Sequence, residues 1–496
     1  MNNEGTPTSP PPAWYRELTR YHWFVLIVAA LGWLFDTMDQ QLFTIARVPA
    51  MRELLRPRFD LPADLSQVAA DDPELKAFNA AVSAYSGYAT SIFLIGWATG
   101  GLGFGILGDL IGRAKTMVLT ILVYSVLTGL SALSTGFWDF AVYRFLTGLG
   151  VGGEFAVGVS LVAEVMPDRA RPFALGLLQA LSAVGNITAA MIGLIMAFLV
   201  RAEVFTSTWR GMFMVGTLPA LLAVPILRKL KEPERWQAMA ARESLAQRLG
   251  SYGAELFHNP RWAKNAIIGL ALASSGVIGL WAIGFFSLDL QQSVFRSRYQ
   301  AQQAALLEHQ GVDHDDLVGR QRVLAAAGLS NQDVNFYVSA WASGTSAMLN
   351  VGAALGIYCF AVVCQRIGRK PTFAIGFLVA MLSTAFVFLS FKDVGDIFWM
   401  IPLMGFCQLS LFGGYAIYFP ELFPTRLRSS GTSFCYNVGR FVAAVGPTML
   451  GLLTSRVFND YAQPMRPAGV TMCAVFLIGL AVLPFAPETK GQPLHE

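Results

Sequence analysis

Charge is the first thing this sequence has little of. Asp, Glu, Lys and Arg supply 14% of its 496 residues, against roughly 25% in ordinary globular chains, so most of its surface is not built to face water. Histidine is rarer still, and the five present (His22, His258, His309, His314 and His495) stand outside the interior of the apolar runs. That leaves no nucleophile and base set, and no metal constellation, for an enzyme working inside a membrane. Cysteine is sparse, and Cys359, Cys364, Cys407, Cys435 and Cys473 lie in or beside apolar segments with no CxxC or Cys/His spacing. They read as packing residues, which excludes a disulfide framework or a zinc site as the organising device. A basic leader is missing too: the opening MNNEGTPTSPPPAW has no cationic region, and the apolar stretch behind it runs about 25 residues without a small-residue cleavage pattern. No cleaved signal peptide is expected, and the Pro-rich residues 1–21 read as a disordered cytoplasmic tail. A net charge of +4 with a pI of 8.8 would suit nucleic acid. The basic residues, however, are scattered in short clusters between apolar runs, so no nucleic-acid partner is expected.

Hydrophobic residues are what the chain has in abundance, at 54% with a mean hydropathy of +0.50. A helix needs about 20 apolar residues to cross ~30 Å of hydrocarbon. Twelve such runs, bounded by charge clusters, occupy 22–46, 81–107, 116–134, 138–165, 172–200, 209–228, 264–289, 337–363, 371–391, 397–420, 430–454 and 468–487. The predicted fold is an all-α membrane protein with twelve transmembrane helices in a lipid bilayer. With the N-terminus inside, 20 of the 36 Lys and Arg residues fall on the cytoplasmic side and 13 on the other, despite two much longer loops there. This positive-inside bias places both termini in the cytoplasm and the chain in the cell membrane. Three polar stretches interrupt the pattern: an outer loop at 47–80, a basic cytoplasmic linker at 229–263 and an outer insert at 290–336. The linker separates an N-terminal six-helix bundle (22–228) from a C-terminal one (264–487), which leaves a short tail at 488–496. Leu and Ala at helical spacing in the insert predict short amphipathic helices. Its His309, Asp313, His314 and Asp315 are too loosely spaced to hold a metal, and no cofactor is expected.

Two unrelated motifs recur at nearly one interval. GILGDLIGRAK (Gly105 to Lys115) follows the second span and AVVCQRIGRKP (Ala361 to Pro371) the eighth, so that Gly112 and Gly368 stand 256 residues apart. Glu164-Val-Met-Pro-Asp-Arg-Ala-Arg171 follows the fourth span and Glu421-Leu-Phe-Pro-Thr-Arg-Leu-Arg428 the tenth, 257 residues apart. Chance agreement of both is improbable, and the halves are duplicates. The loop built from Gly105, Asp109, Gly112, Arg113 and Lys115 resembles the signature between the second and third helices of the major facilitator superfamily, a likeness that covers nearly the whole chain. It departs from that pattern at Leu110, where a basic residue is usual, and at Gln365, where the second copy has no acid. In physical terms Gly105 permits close helix approach, Asp109 suits a helix N-terminus, and Arg113 suits a helix C-terminal end or an acid. The Glu164/Arg171 and Glu421/Arg428 pairs bracket tight inner loops, with Arg369 in the second loop copy. They are expected to gate as the halves rock, the alternative being plain loop stapling.

Charges inside spans are costly and are therefore functional candidates. Asp36 and Asp39 share a face of the first span. At ~1.5 Å per residue, Asp36 and Arg144 of the fourth span both lie about 9 Å below the outer boundary. If their helices are neighbours, an Asp36/Arg144 pair would serve as a proton switch or as a static buried pair. Arg440 lies about 15 Å deep in the eleventh span. It has no acid in its own helix, and its planar fork suits a substrate carboxylate or phosphate, the alternative being a structural partner on another helix. Glu154, nearer the cytoplasm, is a second proton-carrying or gating candidate. Gln179, Asn186, Tyr415 and Asn437 are polar residues that either line a cavity or bond between helices.

Within the superfamily, Asp36-x-x-Asp39 followed by Pro49, and Phe423-Pro424-Thr425-x-x-Arg428-x-x-Gly431 with Arg440 and Pro447 beyond, resemble aromatic acid:proton symporters. Arg144, Gly148, Gly152, Gly153 and Glu154 are similar to the broader metabolite:proton symporters. That resemblance implies proton-driven transport of a small organic acid by a monomer, with the first-helix acids in proton coupling. Sugar porters compete through Gln179, through Lys231 to Trp236 (KEPERW) and through Pro487-Glu-Thr-Lys-Gly491. Against them, the tenth span reads FGGYAIYFPE, and Arg440 has no evident use for a neutral sugar. A non-transporting nutrient sensor on the same fold is the remaining alternative, although sensors usually carry a longer cytoplasmic tail.

Overall fold

The computed structural model describes residues 14–62, 68, 72–167, 170–223, 226, 230–232, 237, 257–284, 286–312, 316–423 and 428–490. Every regular element among them is helical, which is what lipid demands when it offers no partner to a backbone N–H or C=O. Helix α1 (Arg20–Leu55) is opened by Thr19, whose Oγ1 accepts from His22 N at 3.2 Å while His22 Nδ1 accepts from Thr19 N at 3.3 Å. In α2 (Pro73–Ile111), Asp72 accepts from the N–H groups of Glu74 and Leu75, and Pro73 occupies the first turn, where a missing N–H costs nothing. Gly112, at φ 115°, ends α2 and starts α3 (Arg113–Ser131). The first half is completed by α4 (Phe137–Val165), α5 (Arg171–Arg201), α6 (Thr208–Val215) and a 3-10 turn at Leu218–Leu222.

The second half repeats the plan. Asn259 caps α7 (Pro260–Ile278), which passes through a π-helical turn (Gly279–Gly284) towards α8 (Ser287–His309). After α9 (Leu317–Ala326), Ser330 and Asp333 cap α10 (Asn331–Ile367) reciprocally. Gly368, at φ 103°, separates it from α11 (Arg369–Ser390). Then come α12 (Met400–Glu421), α13 (Arg428–Ala443), α14 (Val445–Leu452), α15 (Met465–Met472) and α16 (Val475–Val482). Among the described residues nine helical stretches are long and apolar enough to cross a membrane, and each of the twelve predicted spans contains helix. Exposed Ile27, Leu122, Val126, Met191, Leu355 and Leu389 give these helices a lipid-facing surface.

Two predicted boundaries move. The first span does not stop at residue 46; α1 continues through Pro49 for 36 residues. The outer insert expected to begin at 290 starts inside a helix, because α8 runs from Ser287 and carries buried Leu290, Val294 and Phe295 onward in the core. In both places a charge that looks like the edge of a loop, Arg47 or Asp289, is in fact buried.

Backbones within each half approach closely at paired glycines. A Cβ on Gly96 or Gly100 of α2 would fall 2.1 or 2.0 Å from a carbonyl oxygen of α4, that of Phe145 or Leu149. Gly352 and Gly356 of α10, 256 residues later, meet the carbonyls of Pro402 and Phe406 in α12 in the same way. Small residues four apart thus set both crossings. The halves meet along a seam of α1 with α8, α2 with α13 and α14, and α5 with α10.

Candidate functional site

α1 brings its acids into the first half beside α3 and α4. Asp39 Oδ1 accepts from Thr128 Oγ1 at 2.6 Å, and the same hydroxyl accepts from Arg144 Nη2 at 3.4 Å. Arg144 also donates to Ser131 and Thr147 and lies 4.6 Å from the centroid of Phe213. The acid that meets Arg144 is therefore Asp39 and not Asp36: equal depth does not fix the direction in which a side chain leaves its helix. Asp39 Oδ2 and Arg144 Nη1 have no hydrogen-bond partner among the described residues. Thr128 stands as a neutral spacer between two fully buried charges.

Asp36 is fully buried one turn beyond Gly32 and receives a bond from Gln40 at 3.3 Å on Oδ2. Against Gly32 lies Glu154, whose Oε1 would be 2.3 Å from a Cβ there and whose Oε2 accepts from Thr120 at 2.7 Å. Asp36 Oδ1 and Glu154 Oε1 are buried and unpartnered among the described residues.

Arg440 projects from α13 to the seam. Its guanidinium carbon lies 4.2 Å from the ring centroid of Trp97 on α2 and 4.3 Å from that of Tyr436, and Nη1 donates to Asn437 at 2.8 Å. Nε has no partner among the described residues, and only 4% of the residue is accessible. Trp281, from the π-helical turn, meets Trp97 edge-on with centroids 5.3 Å apart. The arginine is thus enclosed by aromatic faces from both halves, with hydrogen-bonding capacity to spare for an anion. Asn437 belongs to the same site, packed where a Cβ on Gly101 would fall 2.5 Å from its Oδ1. Asn186 lies elsewhere on the seam and donates to Asn350 Oδ1 at 2.7 Å. Tyr415 is not brought to the arginine site: its hydroxyl donates to the Leu272 carbonyl at 2.7 Å and its ring stacks between Phe373 and Phe419, inside the second half.

The loop motifs close on partners that sequence did not suggest. Glu421 is held by Arg369, Nη2 to Oε1 at 2.7 Å and Nε to Oε2 at 3.0 Å, with Thr489 also donating. The expected Glu421/Arg428 pair falls on an Arg428 side chain outside the described ones. Arg113 folds against Gly108, where a Cβ would fall 3.4 Å from its Nη1. Glu232 accepts from the N–H groups of Ala114 and Lys115 at the start of α3, and a Cβ on Gly112 would fall 2.3 Å from its Oε1. Glu488, 256 residues later, accepts from Arg369 N at 2.9 Å and Lys370 N at 3.0 Å at the start of α11. Burial alone would raise the Glu488 carboxyl, but the backbone N–H groups of Arg369, Lys370, Lys490 and Thr489 hold it below the usual range. Gly105, Asp109, Glu164, Arg171, Gln179 and Arg428 sit on described helices, while their side chains lie outside the described ones. Asp313, His314, Asp315, Pro424 and Thr425 lie outside the described residues.

Sequence reasoning missed the contacts that join the halves at the end where α1 terminates. Arg47 Nη2 pairs with Asp289 Oδ1 at 3.0 Å, with both side chains buried, and its guanidinium lies 3.7 Å from the centroid of Phe286. Nearby, Gln41 donates to Ser346 at 2.7 Å, and the hydroxyls of Ser91 and Thr448 are 2.7 Å apart. Arg201 and Asp333 form a more exposed pair at 2.9 Å. The available signal was Asp289 itself, an acid closing the apolar run that begins after Lys264.

The sugar (and other) transporter family matches residues 56–256 and 322–496. The chain is 27% identical over 479 residues to a probable 4-methylmuconolactone transporter of Cupriavidus pinatubonensis, across 97% of this chain and 94% of that one. It is 27% identical over 372 residues to a cis,cis-muconate transport protein of Acinetobacter baylyi, across 75% and 78%. A solved D-xylose–proton symporter superposes with a TM-score of 0.63 at 18% identity, over 96% of this chain and 100% of that one, a likeness of fold.

Proposed function

The chain belongs to the sugar (and other) transporter family of the major facilitator superfamily, and from that premise we propose that it is a proton-coupled symporter for a small organic anion, an aromatic or other carboxylate. The observation that carries the anion is Arg440, buried at the seam between aromatic faces, with an Nε unpartnered among the described residues and a neutral Asn437 as its hydrogen-bonded neighbour. A neutral sugar would offer the guanidinium no charge to pair with, whereas a carboxylate matches its planar fork. The two relatives above are named for organic acids or their lactones, which supports the same substrate class. In this reading the units at 22–228 and 264–487 rock about the seam in the cell membrane, as a monomer with both termini cytoplasmic. Asp36 and Asp39 carry the proton, with Arg144 and Glu154 beside them, and the loop contacts around Gly112 and Gly368 hold the cytoplasmic ends.

Proteoliposomes with an imposed inward pH gradient test this reading with benzoate, cis,cis-muconate and xylose as cargo. A carboxylate should accumulate and xylose should not. Arg440→Ala should lower carboxylate kcat/KM by about 30-fold or more, the cost of removing one partner of a buried charge pair. Accumulation of xylose with no competition from carboxylates would replace the anion by a sugar, and stabilisation by ligand without any flux would replace transport by sensing.

A further inference from the structure

α2 runs antiparallel to α13 and α14 along the seam, and residues of opposite halves meet there in order. A Cβ on Gly87 would fall 2.6 Å from the Pro447 carbonyl oxygen, and the Ser91 and Thr448 hydroxyls are 2.7 Å apart. Further along, the Arg440 guanidinium carbon lies 4.2 Å from the Trp97 ring centroid, and a Cβ on Gly101 would fall 2.5 Å from Asn437 Oδ1. The placing of Trp97 against Arg440 is thus fixed by packing on either side of it. Both residues carry a donor that no described residue answers. Trp97 Nε1 and Arg440 Nε are buried without a hydrogen-bond partner among the described residues, and the two residues are only 3% and 4% accessible. The groups that do touch Arg440, namely Trp97, Tyr436 and Asn437, are all uncharged. A buried donor without an acceptor costs about 1–3 kcal/mol, and more where it belongs to a charged group.

We propose that Trp97 is the second donor of the anion site: its indole N–H donates to one oxygen of the cargo carboxylate while the Arg440 guanidinium donates to the other. This rests on the reading of Arg440 as the anion-binding residue. Two donors on elements of opposite halves call for a ligand with two acceptor atoms, and one of them calls for a negative charge as well. A water or an amide carbonyl answers the indole and leaves the guanidinium without a counter-charge, whereas a carboxylate answers both. The indole ring and its N–H therefore do different things. The ring face holds the guanidinium whatever the cargo. The N–H at the ring edge favours an acid over its amide, because a hydrogen bond to an ionised acceptor is roughly twice as strong as one to a neutral acceptor. Trp281, with its centroid 5.3 Å from that of Trp97, and Phe93, at 5.8 Å, add aromatic surface suited to the planar body of an aryl or unsaturated acid. Neither half holds both donors, so the carboxylate joins α2 to α13 across the seam.

Calorimetric binding to the purified full-length protein at pH 7 tests the N–H apart from the ring. The probe is whichever of benzoate, nicotinate and cis,cis-muconate raises the melting temperature most; stabilisation by none of them overturns the inference together with the carboxylate reading. Trp97→Phe keeps an aromatic face and removes the N–H, and it should raise Kd about tenfold or more, the worth of one hydrogen bond to a charged group. Because the smaller ring also changes the packing against Trp281, a second variant carries 3-benzothienylalanine at position 97, introduced by nonsense suppression. That side chain keeps the bicyclic shape and exchanges N–H for sulfur. It should show the same loss of affinity while the unliganded protein melts as the wild type does. A loss in Trp97→Phe alone would assign the effect to ring packing and overturn the inference. Wild-type affinity in both variants would overturn it as well, the N–H then being directed at the Trp281 face, and would leave Arg440 as the anion site provided that Arg440→Ala abolishes binding. Normal binding by Arg440→Ala would remove the premise itself.

Discussion

At the scale of the residue, the buried charges were legible and their pairing was not. Asp36, Asp39, Arg144, Glu154 and Arg440 stand out because an ionisable group in a span is costly wherever it points. Depth along a helix follows from counting residues, but azimuth depends on how neighbouring helices are rotated. Asp39 therefore took the partner expected for Asp36, through a threonine hydroxyl that no charge pattern marks. Replacing Asp39 by Asn leaves Arg144 buried with only hydroxyl and aromatic neighbours. Removing one partner of a buried pair costs about 3–5 kcal/mol. Thermal unfolding of Asp39→Asn should therefore show a clear loss of stability, and ΔpH-driven accumulation should fall at least tenfold. Thr128→Val, which removes only the spacer, should lose less of both. Wild-type stability and accumulation in Asp39→Asn would show that this acid does not balance Arg144.

At the scale of the element, the repeat was read from two motifs and runs further than they do. Gly112 and Gly368, at φ 115° and 103°, break the helices in corresponding places. Glu232 and Glu488 then cap the next helix in each half, 256 residues apart. These caps were hidden because their partners are backbone N–H groups, which every residue type but proline supplies alike. The acid missing at Gln365 is made good from elsewhere, since Arg369 takes Glu421 and its backbone N–H takes Glu488. The pH dependence of the second cap follows from its sign. A carboxyl held below its ordinary value, about 4.3 for Glu, stabilises the fold fully above that value and loses its contribution as pH falls through the lower, folded one. Glu488→Gln should therefore cost about 1 kcal/mol near pH 7, the usual worth of a helix cap. Its melting temperature should converge with that of the wild type as pH falls through the lowered, folded value. A gap that persists unchanged in acid would mean that the glutamate acts by packing and not by charge.

At the scale of the whole molecule, the halves are locked on one side by contacts that sit where the chain looked like loop. Arg47 and Asp289 escaped notice because each stands at the edge of an apolar run, where a charge ordinarily marks the interface. Their mutual neutralisation, with Phe286 over the guanidinium, is what allows α1 and α8 to continue past those positions. A direct bond between opposite halves at one end of the seam must break if that end opens, so the pair sets the balance between closed and open forms. Arg47→Ala leaves Asp289 buried and unbalanced only while the seam is closed, since opening rehydrates it. Loss of about 3 kcal/mol from the closed form alone is worth ~100-fold in the equilibrium. Ser346, which accepts from Gln41 across the seam, provides the reporter. As Ser346→Cys in a background without the five native cysteines, it should be nearly inert to a membrane-impermeant maleimide applied from outside, and should label at least tenfold faster once Arg47 is Ala. Adding Asp289→Asn should return part of the protection, because the stranded charge is then gone. Equal labelling rates in all three proteins would show that the pair does not hold the seam, leaving the hydroxyl contact of Ser91 with Thr448 and the packing of α5 on α10 to close it.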